Sequence, residues 1–129
     1  MATVTLCHPE GVHDTAGRYA HAVLIEGPQR RLVVSGQVGT RPDGSVAAGA
    51  EAQMDQALAN LSAVLASQGF GPKDVVKMTV FLTDPAQIGP WRAKRLAWLD
   101  GHVSASTLLI VAGLATPDFL MEVEAEAVQ

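Results

Sequence analysis

A change of hydrophobic period near the middle of the chain limits its folding most. Met54, Leu58, Leu61 and Leu65 recur at i, i+4, i+7 and i+11, and Ala57 and Val64 widen the same stripe. That spacing lays one apolar face along a helix starting near Ala48, with Asp55, Asn60 and Ser67 on other faces. Gly69, Gly71 and Pro72 then stop it. Directly after comes VVKMTVFLT (75–83), in which Lys77 and Thr79 alternate with Val76, Met78 and Val80. A helix that must bury one stripe, joined by a few residues to such a strand, finds its cover on a sheet.

The flanking segments supply the rest of that sheet. VTLC (4–7) is short and β-rich, while YAHAVLIEG (19–27) and RLVVSGQVG (31–39), separated at Gly27, Pro28 and Gln29, predict a hairpin. Pro42-Asp43-Gly44 is a turn, because Pro presets φ and Gly accepts a positive one. A second helix is expected from about Pro90 to Asp100-Gly101, with Asp84-Pro85 available to cap an earlier turn. It carries Trp91, Arg95 and Trp98 along one line and Arg92, Leu96 and Leu99 along the next. TLLIVAGL (107–114) and FLMEVEAEAV (119–128), joined through ATPD, close the chain as strands. The order β-β-β-α-β-α-β-β is that of an α+β protein, one domain over residues 1–129, with a mixed sheet and both helices on one face. In the last strand Glu122, Glu124 and Glu126 share the face opposite Met121, Val123, Ala125 and Ala127. Leu109 and Val111 on the neighbouring strand make that face partly apolar, which suggests packing of sheet against sheet between subunits.

Composition narrows the chemistry. The formal charge is -4 and no basic tract exceeds Arg30–Arg31, which argues against an extended nucleic-acid surface. The one cysteine, Cys7, excludes an internal disulfide and a zinc site on paired cysteines, and reads as a small hydrophobe. His8, His13 and His21 show no metal-site spacing, so no metal is expected. The start lacks a basic segment followed by a long apolar one, and no run approaches the ~18 apolar residues of a membrane span. A cytoplasmic protein without a membrane partner is the expectation.

RYAHAV, LVVSGQVG, the stretch from Glu51 to Asp84 and VAGLATPDFLMEVEAEAV together resemble the YjgF/RidA, or reactive-intermediate deaminase, family. SGQ (35–37), DVVKMTVFLTD (74–84) and the closing VEAEAV are the most specific pieces, and the resemblance covers almost the whole chain. It implies a chorismate-mutase-like fold and a homotrimer whose sheets form a central barrel, with small-molecule clefts between subunits. It also implies hydrolysis of enamines or imines such as 2-aminoacrylate, without metal or organic cofactor.

In that family an arginine in a Pro-Ala-Arg-Ser-Thr motif grips the substrate carboxylate, a task that suits the forked guanidinium. Here the corresponding residues read SAST, with Ala105 or Ser106 in the arginine's place according to alignment. The resemblance therefore implies a divergent member that is not a standard 2-aminoacrylate deaminase. It further places Tyr19 and Glu122 as catalytic residues, Glu122 orienting water, and Ser35, Gly36, Ser106 and Thr107 at the ligand. By themselves these residues have plainer readings: Tyr19 as an edge packing residue, Gly36 as a bulge or close approach, Glu122 as a solvated carboxylate. Ser106 and Thr107 show no base beside them, so a hydrogen-bonding role suits them better than a nucleophilic one. Arg92 either restores an anion contact from the second helix or lies outward beside Lys94 and Arg95. His102 is open between cleft and solvent. Two further functions stand beside hydrolysis, a ligand sensor or a chaperone-like interaction protein; ribonuclease activity sits poorly with the acidic balance.

Overall fold

The computed structural model describes residues 2–12, 14–27 and 29–129. His13 and Pro28, which entered the metal and hairpin expectations, lie outside the described residues. Six strands and two helices form: β1 (Thr3–Cys7), β2 (Ala22–Glu26), β3 (Arg31–Gln37), α1 (Ala50–Ser67), β4 (Val75–Leu82), α2 (Ile88–Leu99), β5 (Ala105–Ile110) and β6 (Met121–Val128). The fold is α+β, with a mixed sheet and two helices, as the order of elements predicts.

The main sheet runs β3-β6-β4-β5. β6 is antiparallel to both neighbours and β4 is parallel to β5. A parallel pair needs a crossover, and α2 provides it. Alternation assigns the faces. Met78, Val80, Leu82, Met121, Val123, Ala125 and Ala127 are buried in one core with Met54, Leu58, Leu61 and Leu65 of α1 and Trp91 and Leu99 of α2. The apolar stripe read from sequence is thus the face that α1 buries. Gln53 joins α1 to the chain before β6: its amide donates to Ala47 O and Asp118 O and accepts from Leu120 N. Asp84 caps a turn at Pro85–Gln87, so the second helix starts at Ile88, earlier than Pro90. It ends on Asp100 and Gly101, both with positive φ.

The hairpin expected between 19–27 and 31–39 does not form. β2 pairs with β1 in a separate two-stranded sheet, and β3 pairs with β6. The amides of Gln29 and Arg30 donate to Gln129 O, and Gln129 N donates back to Arg30 O. Gln29 and Arg30 thus lengthen the β3–β6 ladder. At its other end the arm is rooted where Ala20 N donates to Ser104 O, beside a parallel bridge from Ala20 to Ala105. The β1–β2 arm therefore leaves from the β5 edge of the sheet and returns at the β3 edge. A cavity of about 660 Å³ lies between it and the sheet's end, walled by Val4, Leu6, Val76, Val103 and Val128.

Among the described residues, no helix covers the second face of the main sheet. Val33 (63% exposed) and Leu109 (44%) stand on it among charged neighbours, including Arg31, whose guanidinium pairs with Glu126 at 2.8 Å. No helix among the described residues is long and apolar enough to cross a membrane.

Candidate functional site

The root of the arm, α2 and β5 enclose a pocket of about 330 Å³. Asp14, Thr15, Arg18 and Tyr19 come from the arm, Arg92 and Arg95 from α2, and Ser106 and Leu108 from β5. The register explains how Ser106 gets there. It lies opposite Met78, on the helix-covered face, whereas Ala105 lies opposite Lys77. Of the two residues that could stand in the arginine's place, Ser106, and not Ala105, lines this pocket.

Arg95 dominates the site. It is 7% exposed, its Nη1 donates to Ser106 Oγ at 2.9 Å and its Nη2 to Arg18 O at 3.3 Å. Its Nε is buried without a partner. Burial first, and the Arg92 charge second, push its pKa below the ordinary arginine value. Among the described residues, neither guanidinium is in an ion pair with a carboxylate. The ion pairs among the described residues are Arg31–Glu126 and Lys94–Asp55, and the pocket's acid, Asp14, accepts from Ala16 N in its own turn. A buried cation without a counter-ion disfavours the fold unless something charged and negative meets it. The arrangement can receive an anion: one guanidinium held by two neutral acceptors, and a second guanidinium at the exposed rim.

The other expected site residues separate into groups. Tyr19, Arg92 and Ser106 share this pocket, and the Tyr19 ring lies edge-on to His21 with centroids 5.8 Å apart. Thr107 is on the opposite face of β5, where its hydroxyl accepts from Lys77 Nζ at 2.6 Å. Ser35 and Gly36 occupy a register shift in β3, and a Cβ on Gly36 would collide with the Glu122 carboxylate. Glu122 and Gly36 thus form a second cluster on β6 and β3. β6 and β5 flank β4, so two strand spacings, roughly 10 Å, separate that cluster from the Ser106 strand. His102 belongs to the arm cavity, its Nε2 donating to Val75 O at 2.6 Å. Around that larger cavity Arg30 is bonded to Gln68 O and Gln129, and Asp74 to Gly71 N and Gln129. Cys7 is half-buried in β1.

Arg95 and Arg18 were not among the candidates. A signal for Arg95 was present: it stands between Trp91 and Trp98 at i, i+4 and i+7, an arginine on the line that a helix buries.

A family model described as Endoribonuclease L-PSP matches residues 11–129. The chain belongs to that family. Among its curated relatives is the 2-iminobutanoate/2-iminopropanoate deaminase of Rattus norvegicus, 35% identical over 115 residues, covering 88% of this chain and 81% of that protein. Rid-family structures agree, so the YjgF/RidA resemblance is family membership. A Yersinia pestis protein of unknown function from the Rid family, YyfB, superposes with a TM-score of 0.88 at 31% identity, over 98% of each chain. Escherichia coli TdcF with bound serine gives 0.73 at 28% identity, over 78% of this chain and 82% of that one. The residues through Glu26 make up about a fifth of this chain. An overlay that missed them all could not reach the Yersinia score, so part of the arm's arrangement is shared with that protein.

Proposed function

We propose that the protein binds a small acid carrying an imine or enamine in the Arg95 pocket and hydrolyses it to a carbonyl compound and ammonia. One observation carries this: a buried guanidinium, in no ion pair among the described residues, that lines a pocket of metabolite size. The carboxylate clamp missing at Ala105/Ser106 is supplied here from α2. The imino-acid relatives at 35% identity support the reaction class. The steps are modest. An enamine becomes an imine as one proton moves from nitrogen to carbon; water adds across C=N, its oxygen to carbon and one proton to nitrogen; the C–N bond then breaks as the hydroxyl proton passes to nitrogen, leaving the carbonyl and ammonia. Arg95 holds the carboxylate and Ser106 keeps its guanidinium oriented, while Tyr19 offers a hydroxyl at the same pocket.

Glu122 enters through assembly. A homotrimer packed on the uncovered sheet faces brings the Gly36–Glu122 cluster of one subunit toward a neighbour, where the carboxylate can orient the attacking water. Exposed Val33 and Leu109 on that face support such packing. The separation of Glu122 from the pocket within one chain favours a second reading, a sensor that binds without turnover. Ammonia release from an imine generated by a coupled amino-acid oxidase separates the two. Turnover faster than buffer, reduced at least tenfold in Glu122→Gln, is expected; acid-induced thermal stabilisation with no added ammonia would establish the sensor.

A further inference from the structure

We infer that the pocket selects doubly charged acids, a 2-imino or 2-enamino dicarboxylate in preference to a monocarboxylate. The inference rests on the anion-binding role of Arg95 and adds a second charge to it. Three arginines, Arg18, Arg92 and Arg95, line the pocket against one aspartate. That aspartate is committed to the Ala16 amide at 2.8 Å.

The two helix arginines differ in kind. Arg95 is buried and fixed by Ser106 Oγ and Arg18 O. Arg92, one helical turn earlier, is exposed and belongs to no ion pair among the described residues. A single carboxylate on Arg95 satisfies the buried charge and leaves the rim positive. A second carboxylate on the same ligand meets Arg92 and removes the repulsion between the two guanidiniums, a repulsion visible in the Arg92 charge acting on Arg95. The pocket, about 330 Å³, suits a short-chain diacid. Ser106 matters here as well. Its small hydroxyl leaves the room that a long side chain on β5 would fill, so the anion site is set by α2 and can extend to the rim.

Calorimetric titration with pyruvate, oxaloacetate and inorganic phosphate tests this on the whole chain at low ionic strength. Oxaloacetate is expected to bind roughly tenfold more tightly than pyruvate, the worth of one further charged hydrogen bond. Arg92→Gln, at an exposed position, is expected to collapse that ratio to about one to two while the unfolding midpoint stays in place. Equal affinities for the two acids, or a preference that survives Arg92→Gln, would overturn the inference and leave Arg95 binding intact. Phosphate tighter than oxaloacetate would also overturn it, by making the site one for tetrahedral dianions. Failure of both acids to bind would remove the inference together with the anion-binding role of Arg95.

Discussion

Arg95→Met is expected to leave the protein as stable as before, or more so, while pyruvate affinity falls by roughly tenfold to a hundredfold. Methionine keeps most of the unbranched stem that packs beside the tryptophan line and removes the charge. The charge is the unfavourable part, since Arg95 is 7% exposed and no acid among the described residues pairs with it. Its pKa is depressed, by burial before all else. For a base whose folded-state pKa lies below its unfolded value, the penalty is fully present at neutral pH and is relieved only as pH rises through the folded-state value toward the unfolded one. The variant's unfolding midpoint should therefore match or exceed the parent's by a constant margin between pH 6 and 8, roughly. Chemical denaturation and calorimetry read the two effects separately. A purely structural Arg95, tying the arm to β5 through Arg18 O and Ser106, predicts the reverse: stability lost and affinity kept.

Gly39→Ala is expected to destabilise the fold by roughly 3 kcal/mol or more, the upper range for overpacking. A Cβ there would stand 2.5 Å from Gln53 Cβ and Cγ and 2.6 Å from its Cα. The obstacle includes helix backbone, which cannot swing aside as a flexible side chain can. Nor can Gln53 move cheaply, because it is 2% exposed and its amide bonds Ala47 O, Asp118 O and Leu120 N at 2.9 to 3.0 Å. Shifting α1 breaks that bridge and strands buried polar groups. Urea denaturation of Gly39→Ala gives the comparison; a midpoint within error of the parent would mean that α1 is not held against residue 39 as tightly as the structure has it.

Local periodicity made the core legible. The stripe Met54–Leu58–Leu61–Leu65 and the alternation in 75–83 each state a side-chain period and a buried face, and both faces are buried as written. The β2–β3 hairpin failed because a turn composition cannot report a competing partner distant in sequence. Here Gln129 takes the amides of Gln29 and Arg30, and the chain is diverted across the end of the sheet. The site divides in the same way. Residues 104–107 read SAST, without an arginine, but alternation alone does not say that Ser106 faces α2 while Thr107 faces Lys77. Nor does sequence distance reveal that Arg18 O and Ser106 Oγ meet one guanidinium. Arg95 was visible only as a line-mate of two tryptophans, a pattern that an outward-snorkelling arginine also produces. Its contact with Ser106 has a consequence for the obvious repair: arginine at position 106 would set one guanidinium against another already buried.

The central claim is that Arg95 is the carboxylate clamp of this protein. A crystal structure with pyruvate tests it most directly. A carboxylate oxygen about 2.8 Å from a guanidinium nitrogen of Arg95, with the Ser106 contact kept, is the expected result. Pyruvate seated elsewhere, with Arg95 Nε turned to a carbonyl of its own chain, would contradict it.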